Sequence, residues 1–218
     1  MKIIVMLSLK RCQKELTYWN ISVHTSKRDH KKIYYNAVIK PGILYSANIR
    51  TSSCKENLNN IFRLQKRAAR IILDTESRSH SLPLFNTLNL LPFYQDIYVN
   101  RCTLILKRTL SKTPEYLKSM LQLNSDVHSR NTHFSKLNLC CPMYNNSTEG
   151  GQTFSVRSVK DWNNLEKSLK NSKDTKSFRK SLIHTLLERQ RNQHIWHASL
   201  DSLLTKINYD RFTNFLSE

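Results

Sequence analysis

Apolar residues recur every three to four positions along most of the chain, the spacing of helices that bury one face. The longest uninterrupted case is Ser53–Leu73, SCKENLNNIFRLQKRAARIIL, which neither Gly nor Pro breaks. Ser53 and Glu56 have the spacing of a capping box, in which each side chain satisfies a free backbone N–H at a helix start. At roughly 100° per residue, Leu58, Ile61, Gln65, Ala68 and Ile72 fall near the centre of one face, with Phe62 and Ala69 on its flank. Arg63, Lys66, Arg67 and Arg70 gather on the opposite face, spanning roughly 10 Å of axis. One side is suited to docking and the other to an anionic partner.

Upstream, Ile4, Leu7 and Leu9 ahead of Arg11, Lys14 and Glu15 predict a helix over Ile3–Leu16, uncapped at Met1 as if the chain opened inside an element. Thr17–His30 has no clear period and reads as a loop. A helix over Asp29–Ile39 is expected to set Ile33, Tyr34, Ala37 and Val38 against Lys31, Lys32 and Asn36 on the other side. Pro41 and Gly42 should end it, with a further turn or two over Ile43–Ile49.

Pro92 predicts a helix start, with Tyr94, Ile97, Tyr98, Cys102, Ile105 and Thr109 inside and Arg101, Lys107 and Arg108 outside. Thr113, Pro114 and Glu115 supply an N-cap, a first-turn proline and a dipole-favourable carboxylate for a short helix over Pro114–Leu121. Leu137–Met143 and Gln152–Val156, separated by Asn145, Asn146, Gly150 and Gly151, are expected to pair as a small hairpin. Trp162, Leu165 and Leu169 seed a helix after Asp161. Thr175–Arg191 forms another, with Phe178, Leu182, Ile183 and Leu186 inward and Lys176, Arg179 and Lys180 outward. Helical spacing persists through Ile195, Leu200, Leu204 and Ile207. The expected fold class is mainly α, bundle-like helical segments with one small two-stranded β element, divided as 1–50, 53–122, 123–187 and a tail 188–218.

Charge sharpens this picture. Lys plus Arg number 35 against 16 for Asp plus Glu, a formal charge of +19 that favours nucleic acid or an anionic membrane surface. Cys12, Cys54, Cys102, Cys140 and Cys141 are odd in number and contain no CxxC pair, which fits free thiols in a reducing compartment. The apolar run Ile3–Leu7 is too short to span a membrane, so an intracellular location, nucleus or cytoplasm, is expected.

Catalytic chemistry is not evident. The pairs His128 with His133 and His194 with His197 have no Cys or carboxylate at ligand spacing, and no nucleophile elbow is present, so neither a metal nor a cofactor is expected. Asp74 and Glu76 are the only carboxylates two positions apart, and a solvated loop suits them better than a metal site. Tyr34, Tyr35, Tyr45, Phe93, Tyr94 and Tyr98 interleave with basic residues, a pattern that serves base stacking but more often marks core. Trp162 reads as a core anchor.

The run IYYNAVIKPGILYSA, Ile33–Ala47, followed by RLQKRAARIIL, Arg63–Leu73, resembles the segment after the polymerase core in reverse transcriptases of jockey-like non-LTR retrotransposons. Tyr34, Pro41, Tyr45, Leu64, Gln65, Arg67, Ala68, Ala69 and Arg70 stand at the matching positions. SLPLFNTLNLLPFYQDIYVNRC from Ser81, KTPEYLKSML from Lys112, HSRNTHFSKLNL from His128, TFSVRSVKDWNNL from Thr153 and SFRKSLIHTLL from Ser177 are similar to later segments of that family, in order. The resemblance covers about Lys27 to Leu187. It departs where Ile49 and Arg50 replace a Trp–Gly pair that the family often shows.

The resemblance implies a region that helps hold template and nascent duplex. It also implies an RNA-directed DNA polymerase elsewhere in the parent, whose two magnesium ions need adjacent aspartates. No two aspartates are adjacent in this chain, so this polypeptide is expected to bind RNA or DNA through phosphate without catalysis. Where a reading frame continues upstream, the polymerase core is a further partner. Arg63, Lys66, Arg67 and Arg70 are the first candidates for phosphate contact; Lys31, Lys32, Arg179 and Lys180 follow. The alternatives are an inactive remnant of a truncated element and a helical interaction protein reused by a host.

Overall fold

The computed structural model describes residues 13–19, 27–45, 55–127, 137–145 and 150–192, and these are mainly α. Two units emerge, residues 1–97 and 98–218, with the division falling inside one helix. The expectations for Ser53, the histidine pairs His128 with His133 and His194 with His197, most of the first predicted helix and the tail lie outside the described residues.

In the first unit, residues 13–19 are helical (α1), and α2 (Arg28–Tyr34) continues into a π-helical turn, Tyr35–Ile39, and α3 (Lys40–Leu44). Two expectations are corrected here. Thr17–Trp19 are helical rather than looped and the helix expected from Asp29 already starts at Arg28, and Pro41 with Gly42 sits inside the helix rather than ending it. A proline removes one i→i−4 bond and presses on the preceding turn. The π turn widens the helix immediately ahead of Pro41, with the Lys40 N–H bonded five residues back to the Tyr35 carbonyl.

The buried face is also not the predicted one, although Asn36 is exposed as expected. Lys31, Tyr35, Ile39 and Ile43 are buried, whereas Ile33 and Val38 are 64% and 39% exposed. Four residues of α-helix overshoot a full turn by about 40°, so a stripe spaced by four drifts around a regular helix. The wider π turn cancels the drift and keeps those four residues inward.

The helix α4 (Lys55–Leu73) docks with the predicted face: Leu58, Ile61, Gln65, Ala68 and Ile72 are each at most 1% exposed. It packs against α2 and α5 (Ser81–Leu88). Phe62 stacks on the Phe85 ring at 6.2 Å. Asn89 closes α5 in the left-handed region at φ 52°, where asparagine is tolerated, while the Leu90 N–H reaches back to the Phe85 carbonyl.

Gln65 is the polar centre of this apolar face. Its amide donates to the Leu91 carbonyl at 2.9 Å and the Tyr35 hydroxyl at 3.2 Å, and its carbonyl accepts from the Phe93 N–H at 2.7 Å. Phe93 opens α6 (Phe93–Thr109), so Gln65 satisfies a donor that has no partner within its own helix. Burial and the nearby Asp96 carboxylate push the Tyr35 hydroxyl far up, and its hydrogen bond with Gln65 opposes them; it stays neutral.

In the second unit, α6 is enclosed. Val99, Cys102, Ile105 and Leu106 are buried, and so is Arg101, placed outside by the sequence reading but 0% exposed and 2.6 Å from Asp161. Burial pushes the Asp161 carboxyl up while Arg101, then Arg157, pull it down. Asp161 lies inside α9 (Phe154–Asn163), not ahead of a helix as expected.

The predicted hairpin does not form. Gly150–Gln152 is a 3-10 turn and Phe154–Val156 begins α9, so residues 152–156 are unavailable as a strand. The segment around Leu139, where a single bridge forms, takes other partners. Along one edge it bridges to residues 122–124: the Cys140 N–H bonds the Gln122 carbonyl, and the Asn124 N–H bonds the Asn138 carbonyl, both at 2.9 Å. Along the other, the Asn163 amide accepts from the Leu139 N–H and donates to the Leu139 carbonyl, both at 2.9 Å. One side chain thereby does the work of a neighbouring strand. Trp162 is buried, with its indole N–H on the Leu137 carbonyl at 2.8 Å, and buried Lys170 of α10 (Lys167–Lys170) bonds Asn138.

Between these parts run α7 (Glu115–Met120) and one turn of α8 (Asn124–Val127); Pro114 takes the N-cap position of α7, displacing the predicted Thr113. α11 (Thr175–Asn192) forms as expected, with Phe178, Leu182 and Leu186 buried.

Burial, then the Asp161 carboxylate, raises the Cys102 thiol far above its ordinary range. Thiolate is the reactive form. In the folded protein at pH about 8, iodoacetamide is therefore expected to modify exposed Cys141 and leave Cys102 intact, with both labelled in urea. Peptide mass spectrometry checks this, and equal labelling of both in buffer would contradict it.

Candidate nucleic-acid interface

Because α4 buries one face completely, its other face is fixed outward. Arg63 and Arg67 stand exposed one turn apart, with the Arg63 guanidinium 3.5 Å from the side-chain amide oxygen of Asn60. Lys66 is half-buried, its ammonium 4.6 Å above the Phe62 ring, a cation–π contact that holds it along the helix. Arg70 is more committed, donating from Nε to the Ser79 carbonyl at 3.0 Å and pinning the loop after α4.

Among the described residues, no carboxylate forms an ion pair with any of these four cations. Their mutual effect is visible at Lys66, whose ammonium is lowered first by burial and then by the Arg70 and Arg63 charges. An anion bound there would relieve that repulsion.

The secondary candidates divide. Lys31 is 1% exposed, its ammonium on the Asp74 carboxylate, so it is spent inside the fold. Asp74 is correspondingly occupied by a lysine. Lys32 is half-buried, Arg179 donates to the side-chain amide oxygen of Asn100 at 2.7 Å, and Lys180 is exposed. The structure therefore brings together the four cations of α4 on one helix face, while Lys31 is withdrawn into the fold.

Most of the aromatic candidates are internal. Tyr34 stacks on Trp19 at 5.5 Å and its hydroxyl donates to Glu15, and Tyr35, Phe93 and Tyr98 are buried, whereas Tyr45 is 61% exposed. No group of three or more His, Cys, Asp or Glu that could hold a metal ion occurs among the described residues. No helix there is long and apolar enough to cross a membrane.

No family model, curated protein or solved structure matches the chain.

Proposed function

We propose that this chain is a nucleic-acid-binding fragment, the thumb-like end and helical C-terminal region of a non-LTR retrotransposon reverse transcriptase without its polymerase core. The ordered series of segments from Ile33 to Leu187 supports the family origin. The observation that carries the binding function is the outward face of α4, where Arg63, Lys66 and Arg67 lie together with no ion-paired carboxylate among the described residues. Guanidinium forks at one-turn spacing suit phosphate oxygens, which they bind in bidentate fashion. The buried opposite face keeps the helix from rolling, so the charges are presented on a rigid element.

The test is the salt dependence of RNA and DNA binding. Replacing Arg63, Lys66 and Arg67 by Glu reverses the charge of this face while Arg70 continues to hold its loop. Each phosphate that is no longer neutralised should reduce the slope of log affinity against log salt by about 0.9 for duplex DNA. Unchanged affinity for both RNA and DNA at low salt would overturn the assignment.

A further inference from the structure

The π turn aligns the outside of the rod formed by α2 and α3 as well as its inside. Two positions after each buried residue stand Ile33, Ala37, Pro41 and Tyr45, half a turn away around the axis, and all four are exposed, Tyr45 by 61%. They make one uncharged outward stripe of about 18 Å. Val38, also exposed, widens it.

Charge frames the stripe at its first end. Lys27 and Arg28 are exposed and Lys32 is half-buried, and among the described residues none of the three forms an ion pair. Asp29, also exposed, is the one carboxylate between Lys27 and Tyr45. Lys40, farther along, is held by Asp96 at 3.0 Å.

We infer that this outward face is a docking surface for an anionic membrane, on which the rod lies without crossing. The inference does not depend on the nucleic-acid reading of α4. A phosphate backbone offers nothing to Ile33, Ala37 and Val38, and a second copy of a chain carrying +19 would bring like charge to the same place. An anionic bilayer interface suits both chemistries: its acyl boundary takes the aliphatic side chains, and its headgroups attract Lys27, Arg28 and Lys32. Tyr45, with an apolar ring and a polar tip, suits the boundary between them.

The experiment measures binding of the full chain to vesicles of phosphatidylcholine alone and of phosphatidylcholine with phosphatidylserine, over a salt series. Wild type should bind the second and not the first. I33S/Y45S changes no charge, so it should lower affinity about tenfold at every salt concentration while the salt slope stays as in wild type. K27Q/R28Q/K32Q should flatten that slope, and D29N should strengthen binding. Circular dichroism reads whether helicity is kept; if the double variant unfolds, I33S alone should show the same parallel loss.

RNA and DNA binding by I33S/Y45S should equal that of wild type, so failure of the α4 reading leaves this one standing. Vesicle affinity equal to wild type in the folded I33S/Y45S and I33S variants overturns the inference, since attraction would then be a matter of net charge alone. A dimer in sedimentation velocity that I33S/Y45S dissociates, with vesicle binding unchanged, overturns it in favour of a second copy.

Discussion

Asp161→Ala is expected to destabilise the protein by about 3–5 kcal/mol, because it strands a buried guanidinium rather than merely deleting a contact. Arg101 and Asp161 meet at 2.6 Å with side chains 0% and 3% exposed, and Arg157 adds a second positive charge acting on the same carboxylate. Removing the carboxylate leaves these charges in the interior, where water cannot replace it. Urea unfolding followed by circular dichroism measures the loss. The pair replacement R101M/D161L should cost much less than D161A, since the charge and its partner leave together. A loss below about 1 kcal/mol for D161A would equate the pair with an ordinary surface bridge and contradict the account of α6 as an enclosed helix.

Gln65→Leu should produce the second large loss, despite filling much of the same volume. It strands the Leu91 carbonyl and the Phe93 N–H, each a buried group worth about 1–3 kcal/mol when left unmade, and removes the donor to Tyr35. The start of α6 depends on that N–H bond, so amide hydrogen exchange at Phe93 should accelerate relative to Ile105. Protection at Phe93 equal to wild type would show that Gln65 does not hold the helix start.

The sequence spoke clearly where one element carried one periodicity. α4 shows this: its inward residues, its cationic face and its approximate end were all legible because nothing disturbs 3.6-residue spacing between Leu58 and Leu73. Gln65 stood at the centre of the apolar stripe, and its position was the available sign that a buried polar group was needed there. Arg101 gave no such sign. Its burial depends on Asp161, sixty residues later, and a helix apolar on several sides has no stripe from which an inward charge can be told.

The same limit explains the hairpin. Only Leu139 of the predicted strand makes a bridge, and its neighbours are a short chain segment and one asparagine amide, neither of which has a strand's alternating pattern.

The π turn at Tyr35–Ile39 makes α2 and α3 unequal partners in tolerance to insertion and deletion. It is the helical equivalent of one surplus residue, wound into the rod without leaving it. Deleting that residue to restore a regular helix would rotate everything ahead of it by about 100° relative to Ile43, carrying Lys31 away from Asp74 while Ile33 changed direction with it. A change that improves the local hydrogen bonding would misalign the whole preceding segment, so the gene can more readily exchange residues in this stretch than change their number.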